Sequence, residues 1–183
     1  MSEEKRWRIL IDGDGAATDP LTAEEIVTRL WSWAEDLRLW AEPLQPGEAC
    51  FPQDVPEVRW LLLEDPSRVV HAFMKHRGHA APDWPFLWVV ENCQQDPAAG
   101  WVLLRVLLDA SESDEDLAVV AAGPLEEMLI AQGAAVIEEL EAEASRNPRF
   151  RRLLSGVWRS TIEEDVWRRV QAARAGDPGI DDD

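Results

Sequence analysis

Three histidines, two cysteines and a long run of carboxylates are the side chains here with the types to do chemistry. Metal ligands on one helix face sit three or four residues apart. His71 and His76 are five apart, which turns them away from each other by about 140° on a helix. His76 and His79 meet the spacing only if a helix runs through Gly78. The histidines therefore predict no metal site. Lys75, His76 and Arg77 read as partners for the negative end of a helix. Cys50 and Cys93 form neither a CxxC pair nor a zinc spacing, so they read as free thiols in a reducing cytoplasm. Asp12-Gly13-Asp14-Gly15 has the look of a calcium loop. Counted from Asp12, however, Ala17 and Ala23 stand where such a loop needs Gly and a bidentate Glu. These four residues predict a turn. The chain contains no G-x-S-x-G elbow, P-loop or G-x-G-x-x-G. No cofactor is expected.

Carboxylates are the remaining chemistry. Between Arg105 and Arg146 there is no Lys, Arg or His, and this gap carries eleven acids. They include Asp109, Glu112, Asp114, Glu115, Asp116, Glu138, Glu139, Glu141 and Glu143. From Arg146 to Arg174 the sign reverses, with eight arginines against Glu163, Glu164 and Asp165. Opposed blocks bear on partners more than on fold. Two outcomes are open. The arginines fold back and pair with the acids, each exposed pair contributing about 0–1 kcal/mol; or the acids stay unpaired and form a docking surface. The nine acids just named are the candidate partner-binding residues. Net charge is −18, with twice as many acids as bases. That disfavours nucleic acid and anionic membranes and favours a basic protein partner.

The elements that must position these residues come from periodicity and caps. A strand is expected near Trp7–Ile11. Thr22 and Glu25 make a capping box. Ile26, Leu30, Trp33, Leu37 and Trp40 then recur as one helix stripe, with Trp31 off it. Four prolines make 42–56 an irregular connector. Asp65-Pro66, Asp96-Pro97 and Asn147-Pro148 each read as an N-cap followed by proline at the first helical position. Helices are expected at about 66–77, 85–93, 97–109, 115–122, 124–132, 134–145, 148–156 and 162–175, with Gly78, Gly133 and Gly156 as stops. The predicted class is mostly α: an irregular bundle or short helix-pair stack with a small N-terminal strand-and-helix extension. The predicted division is 1–56, a helical domain at 57–175, and a flexible acidic tail at 176–183. The start is polar, and no 18-residue apolar run is read anywhere. A cytoplasmic protein is expected, with homo-oligomerisation left open.

Leu117-Ala118-Val119-Val120-Ala121-Ala122-Gly123-Pro124-Leu125-Glu126-Glu127-Met128-Leu129 resembles the L-A-x-x-A-A-G-P-L-E-x-L-L motif of an uncharacterised bacterial domain family. Met128 replaces a leucine. Asp96-Pro97, Trp101, Gly133, Asn147-Pro148-Arg149-Phe150-Arg151 and Val157-Trp158 extend the resemblance over about 84–170. It implies a helical fold and no particular activity. Gly123-Pro124 is expected to end one helix and begin another, forming a corner. Trp7-Arg8-Ile9 and Asp19 to Ile26 also look like part of a small proline-rich-ligand-binding fold, with Asp19 in place of its glycine. The leading expectation is a non-enzymatic interaction module, of the kind formed by immunity-type inhibitors of basic proteins. The alternatives are a carboxylate-dependent hydrolase and a scaffold or adaptor subunit.

Overall fold

The computed structural model describes residues 5–11, 17–32, 39–44, 47–76 and 84–175. The expected Asp12–Gly15 turn, the His76 and His79 side chains, Gly78 and the acidic tail lie outside the described residues. The protein is mostly α, with a two-stranded antiparallel sheet near its N-terminus. It divides into two compact units, Met1–Pro66 with Ala81–Trp84, and Ser67–Ala80 with Pro85–Asp183.

The first unit is built on strand β1 (Trp7–Ile11), paired antiparallel with β2 (Leu39–Pro43) so that Ile9 faces Ala41. Period-2 alternation puts Trp7 and Ile9 inside and Arg8 outside. Helix α1 (Ala23–Leu30) starts at the expected capping box, in which Glu25 N donates to Thr22 Oγ1 at 3.2 Å and Thr22 N to Glu25 Oε2 at 2.8 Å. Ile26 and Leu30 face inward as expected; Trp33 and Leu37 lie outside the described residues. Trp40 does not continue the helix stripe. It sits on β2, 39% exposed, and stacks on Phe51 at 4.7 Å. Backbone pairing explains the difference. Ala41 N donates to Cys50 O at 2.7 Å while β2 pairs with β1, and an aromatic residue fits a half-buried pleat. The expected irregular connector is also more ordered than predicted. It contains part of β2 and a 3₁₀ turn at Pro52–Asp54, and its last proline opens α2 (Pro56–Glu64). Proline at a first helical position gives up only an orphan donor. Val58 and Leu62 are the buried face of α2.

The second unit carries α3 (Ser67–His76), α4 (Trp84–Gln95, entering the unit at Pro85) and α5 (Pro97–Ala110). These are followed by α6 (Asp114–Val120), α7 (Glu126–Arg146), α8 (Pro148–Ser155) and α9 (Glu164–Ala173). Leu103, Leu104 and Leu107 of α5 are fully buried, and α5 packs against α3, α6, α7 and α8. The Asp96 carboxylate accepts from Ala98 N and Ala99 N, and the Asn147 side chain accepts from Arg149 N and Phe150 N. Both caps are as the sequence suggests.

Gly123-Pro124 makes its corner without ending a helix. Ala121–Leu125 is a π-helical turn that joins α6 to α7 as one run, Asp114–Arg146. A straight helix of that length would span roughly 48 Å. Yet Arg152, only six residues past Arg146, reaches Asp114 at 2.8 Å, and six extended residues cover at most about 21 Å. The run must therefore bend, and a π turn containing proline is the kind of defect that bends helices. Asp114–Arg146 is also long and apolar enough to cross a membrane by length and mean hydropathy. The sequence reading missed this because Glu126 and Glu127 interrupt the run. Half of its most apolar window is buried inside the protein, which is how a core helix passes such a test.

Gly133 does not stop a helix. It lies within α7, where a Cβ would meet Val166 Cγ1 of α9 at 2.9 Å. Gly156 does sit at the end of α8.

Candidate functional site

The nine candidate carboxylates separate into three groups. Asp116 is not a surface group: it is 3% exposed, and its Oδ2 accepts from Glu112 N at 2.7 Å and Ser113 N at 3.1 Å. Ser113 Oγ accepts from Asp116 N in return. This reciprocal box starts α6, so Asp116 leaves the proposed surface. The pattern S-x-x-D at 113–116 is the signal that could have identified it.

Three more acids are bound by arginines downstream. Arg152 bonds Asp114 at 2.8 Å, and Arg169 grips Glu141 with a fork of 2.8 and 2.6 Å. Glu143 takes Arg146 and the Asn147 amide. The carboxyl groups titrate accordingly. The Arg152 hydrogen bond holds Asp114 below its usual value, and the Arg169 bonds do the same for Glu141. For Glu143 the Asn147 hydrogen bond leads, with Arg146 behind it. Hydrogen bonds to the charged form favour that form.

Asp109, Glu112, Glu115, Glu138 and Glu139 form the third group. All five are exposed, and their carboxylates make no hydrogen bond or ion pair among the described residues. Glu138 lies near enough to Arg169 to reinforce its charge without a hydrogen bond.

The arginine block explains why five acids remain. Arg149 donates to Ser111 O, Arg151 to Ala144 O at 2.7 Å, and Arg174 to Ser155 O and Val157 O at 3.3 and 3.2 Å. These guanidinium groups satisfy carbonyls at or just past helix C-termini, where cations are favoured. Arg159 and Arg168 pair with Glu164 and Asp165. Among the described residues, only Arg146, Arg152 and Arg169 of this block bond carboxylates of the acid block.

Elsewhere, the first unit holds an open cavity of about 230 Å³ whose polar lining includes Lys5, Glu48, Cys50 and Glu57. Lys5 Nζ bonds Glu57 Oε1 at 2.7 Å and pulls its carboxyl below the usual value. Burial raises the Cys50 thiol and pushes buried Cys93 up to about 12, so neither is an activated nucleophile. Both are free thiols. No cluster of three metal-ligating side chains occurs among the described residues. Trp31, whose place in an exposed apolar patch would mark an oligomer interface, is half-buried and packs on Trp84 at 5.0 Å.

Residues 74–177 match a family model described as a family of unknown function (DUF6869). The chain belongs to that family. The matched segment contains Leu117–Leu129 and all of α4 to α9. No curated protein and no solved structure matches the chain.

Proposed function

We propose that the protein is a non-enzymatic interaction module that docks a basic protein partner, in the manner of an immunity-type inhibitor in a bacterial cytoplasm. The observation that carries this reading is the set of exposed carboxylates at Asp109, Glu112, Glu115, Glu138 and Glu139, which make no hydrogen bond or ion pair with the arginine block among the described residues. A basic partner would meet these free charges with long-range attraction and faster encounter. The hydrolase alternative draws less support. A general acid needs a carboxyl raised toward neutral pH, whereas Glu57, Asp114, Glu141 and Glu143 are all pushed down by hydrogen bonds and nearby cations.

The test is the association rate of a basic protein recovered with the native chain. The rate should fall steeply as salt shrinks the screening length from roughly 30 Å to about 3 Å. The double substitution Glu138→Gln with Glu139→Gln should slow association severalfold at low salt, with little change in dissociation. A rate indifferent both to salt and to these substitutions would remove the proposal.

A further inference from the structure

Trp158 lies on the loop between α8 and α9 and is 68% exposed. Its indole N–H makes no hydrogen bond among the described residues. Exposed tryptophans are unusual, and those held on rigid supports are common anchors of protein interfaces. The support here is well built. Val157 and Ile162, on either side of the exposed segment, are buried, and Ile162 N donates to Arg159 O at 2.9 Å. Arg174 clamps the carbonyls of Ser155 and Val157 while its guanidinium lies 5.0 Å over the Trp167 ring. Between these anchors Ser160 is held at φ 40°, a left-handed conformation that non-glycine residues rarely adopt. The loop thus presents its tryptophan in advance, at little further cost in entropy on binding.

Trp60, the other highly exposed tryptophan among the described residues at 63%, differs on two counts. Its indole N–H is already taken by Glu64 at 3.1 Å, and it lies outside the matched residues 74–177.

Charge indicates what covers Trp158. Arg159 and Arg168 are paired with Glu164 and Asp165, Arg174 is bound to carbonyls rather than to an acid, and Glu163 on the same loop is exposed with no ion pair among the described residues, so the excess negative charge comes from Glu112 and Glu115. The Asp114–Arg152 bridge, beside Glu115, begins only six residues before Trp158, within about 21 Å even for extended chain. One partner footprint of about 800 Å² is roughly 30 Å across, so the indole and the free carboxylates Glu112 and Glu115 lie close enough for one partner to span. We propose that Trp158 anchors the basic partner by taking one of its arginine side chains against the indole face. A planar guanidinium stacks on an aromatic ring in a way an ammonium does not, and tryptophan is the strongest such platform. This inference rests on the docking role proposed above and names the residue that holds what the carboxylates attract.

Tryptophan-free hexa-arginine and hexalysine peptides, titrated into the ¹⁵N-labelled full chain, provide the test. The indole N–H signals report on each tryptophan, and that of Trp158 is the one lost in Trp158→Ala. Hexa-arginine should bind about three- to fivefold more tightly than hexalysine, with the Trp158 signal moving. Trp158→Ala should abolish the preference, Trp158→Phe should keep part of it, and Trp60→Ala should leave it intact. An unchanged preference in Trp158→Ala, an equal response at Trp60, or no binding of either peptide overturns the anchor. The docking role fails differently. If Glu138→Gln with Glu139→Gln and Glu112→Gln with Glu115→Gln leave both affinities unchanged while Trp158→Ala removes the preference, the carboxylate reading falls and the tryptophan site stands.

Discussion

A buried carboxylate that accepts two backbone hydrogen bonds cannot be exchanged for a neutral methyl without orphaning both donors. Asp116 is in this position, under Glu112 N and Ser113 N, whereas its neighbour Glu115 projects into water. Asp116→Ala should therefore destabilise the protein by about 1–2 kcal/mol, read as a lower urea midpoint at unchanged m-value. Glu115→Ala should fall within about 0.5 kcal/mol of wild type. Equal effects would mean that the box at 113–116 does not hold the start of α6. In sequence the nine candidate acids of the block are indistinguishable by charge. What separates them is the partner of each one. Asp116 was legible from the S-x-x-D spacing, because its partners are local. Asp114 and Glu141 were not, because Arg152 and Arg169 reach them from elements 38 and 28 residues away.

Among the elements, the same limit applies to glycine. Gly133 reads as a stop because glycine both ends helices and admits close approach, and only the second use depends on a distant partner. Here the partner is Val166 of α9, 2.9 Å from where a Cβ would stand. Gly133→Ala gains about 1 kcal/mol of helix propensity and loses about 1–3 kcal/mol through overpacking, so a net loss is expected in wild type. With Val166→Ala the clash is gone and the same substitution should become stabilising. The change of sign in a double-mutant cycle is the measurement. Additivity would mean that α7 and α9 do not cross at this glycine. Features governed by neighbours in sequence were read correctly: β1, the Thr22–Glu25 box, and the caps at Asp96 and Asn147. Those governed by pairing or packing at a distance were not. Strand β2 needs β1, and α2 packs on α1. The Gly123-Pro124 corner was legible as a bend but not as a π turn. The small residues that allow the bend do not specify whether the hydrogen-bonded ladder breaks or shifts by one.

At the scale of the whole molecule, a charge of −18 coexists with a few acids whose protonation is tied to folding. Asp114, Glu141, Glu143 and Glu57 are all held below their ordinary values, 3.8 for the aspartate and 4.5 for the glutamates. A folded-state value below the unfolded one means that the unfolded chain binds more protons in the interval between them. The stability these groups contribute is thus fully present above about pH 4.5 and is lost as pH falls through their folded-state values. Relief of repulsion among the other carboxylates runs the opposite way on acidification, so the total stability curve mixes two trends. Comparing variants isolates one of them. Glu141→Gln removes a single lowered group while retaining its shape, so the gap in unfolding free energy between wild type and variant should be widest near neutral pH and close below pH 4.5. Arg169→Gln should show the same convergence, because it breaks the same fork from the other side. A gap that stays constant from pH 7 to pH 3 for Glu141→Gln would show that the Arg169 fork adds nothing to folding. Glu141 would then belong with the free carboxylates, and the surface proposed above for a basic partner would extend along α7 to include it.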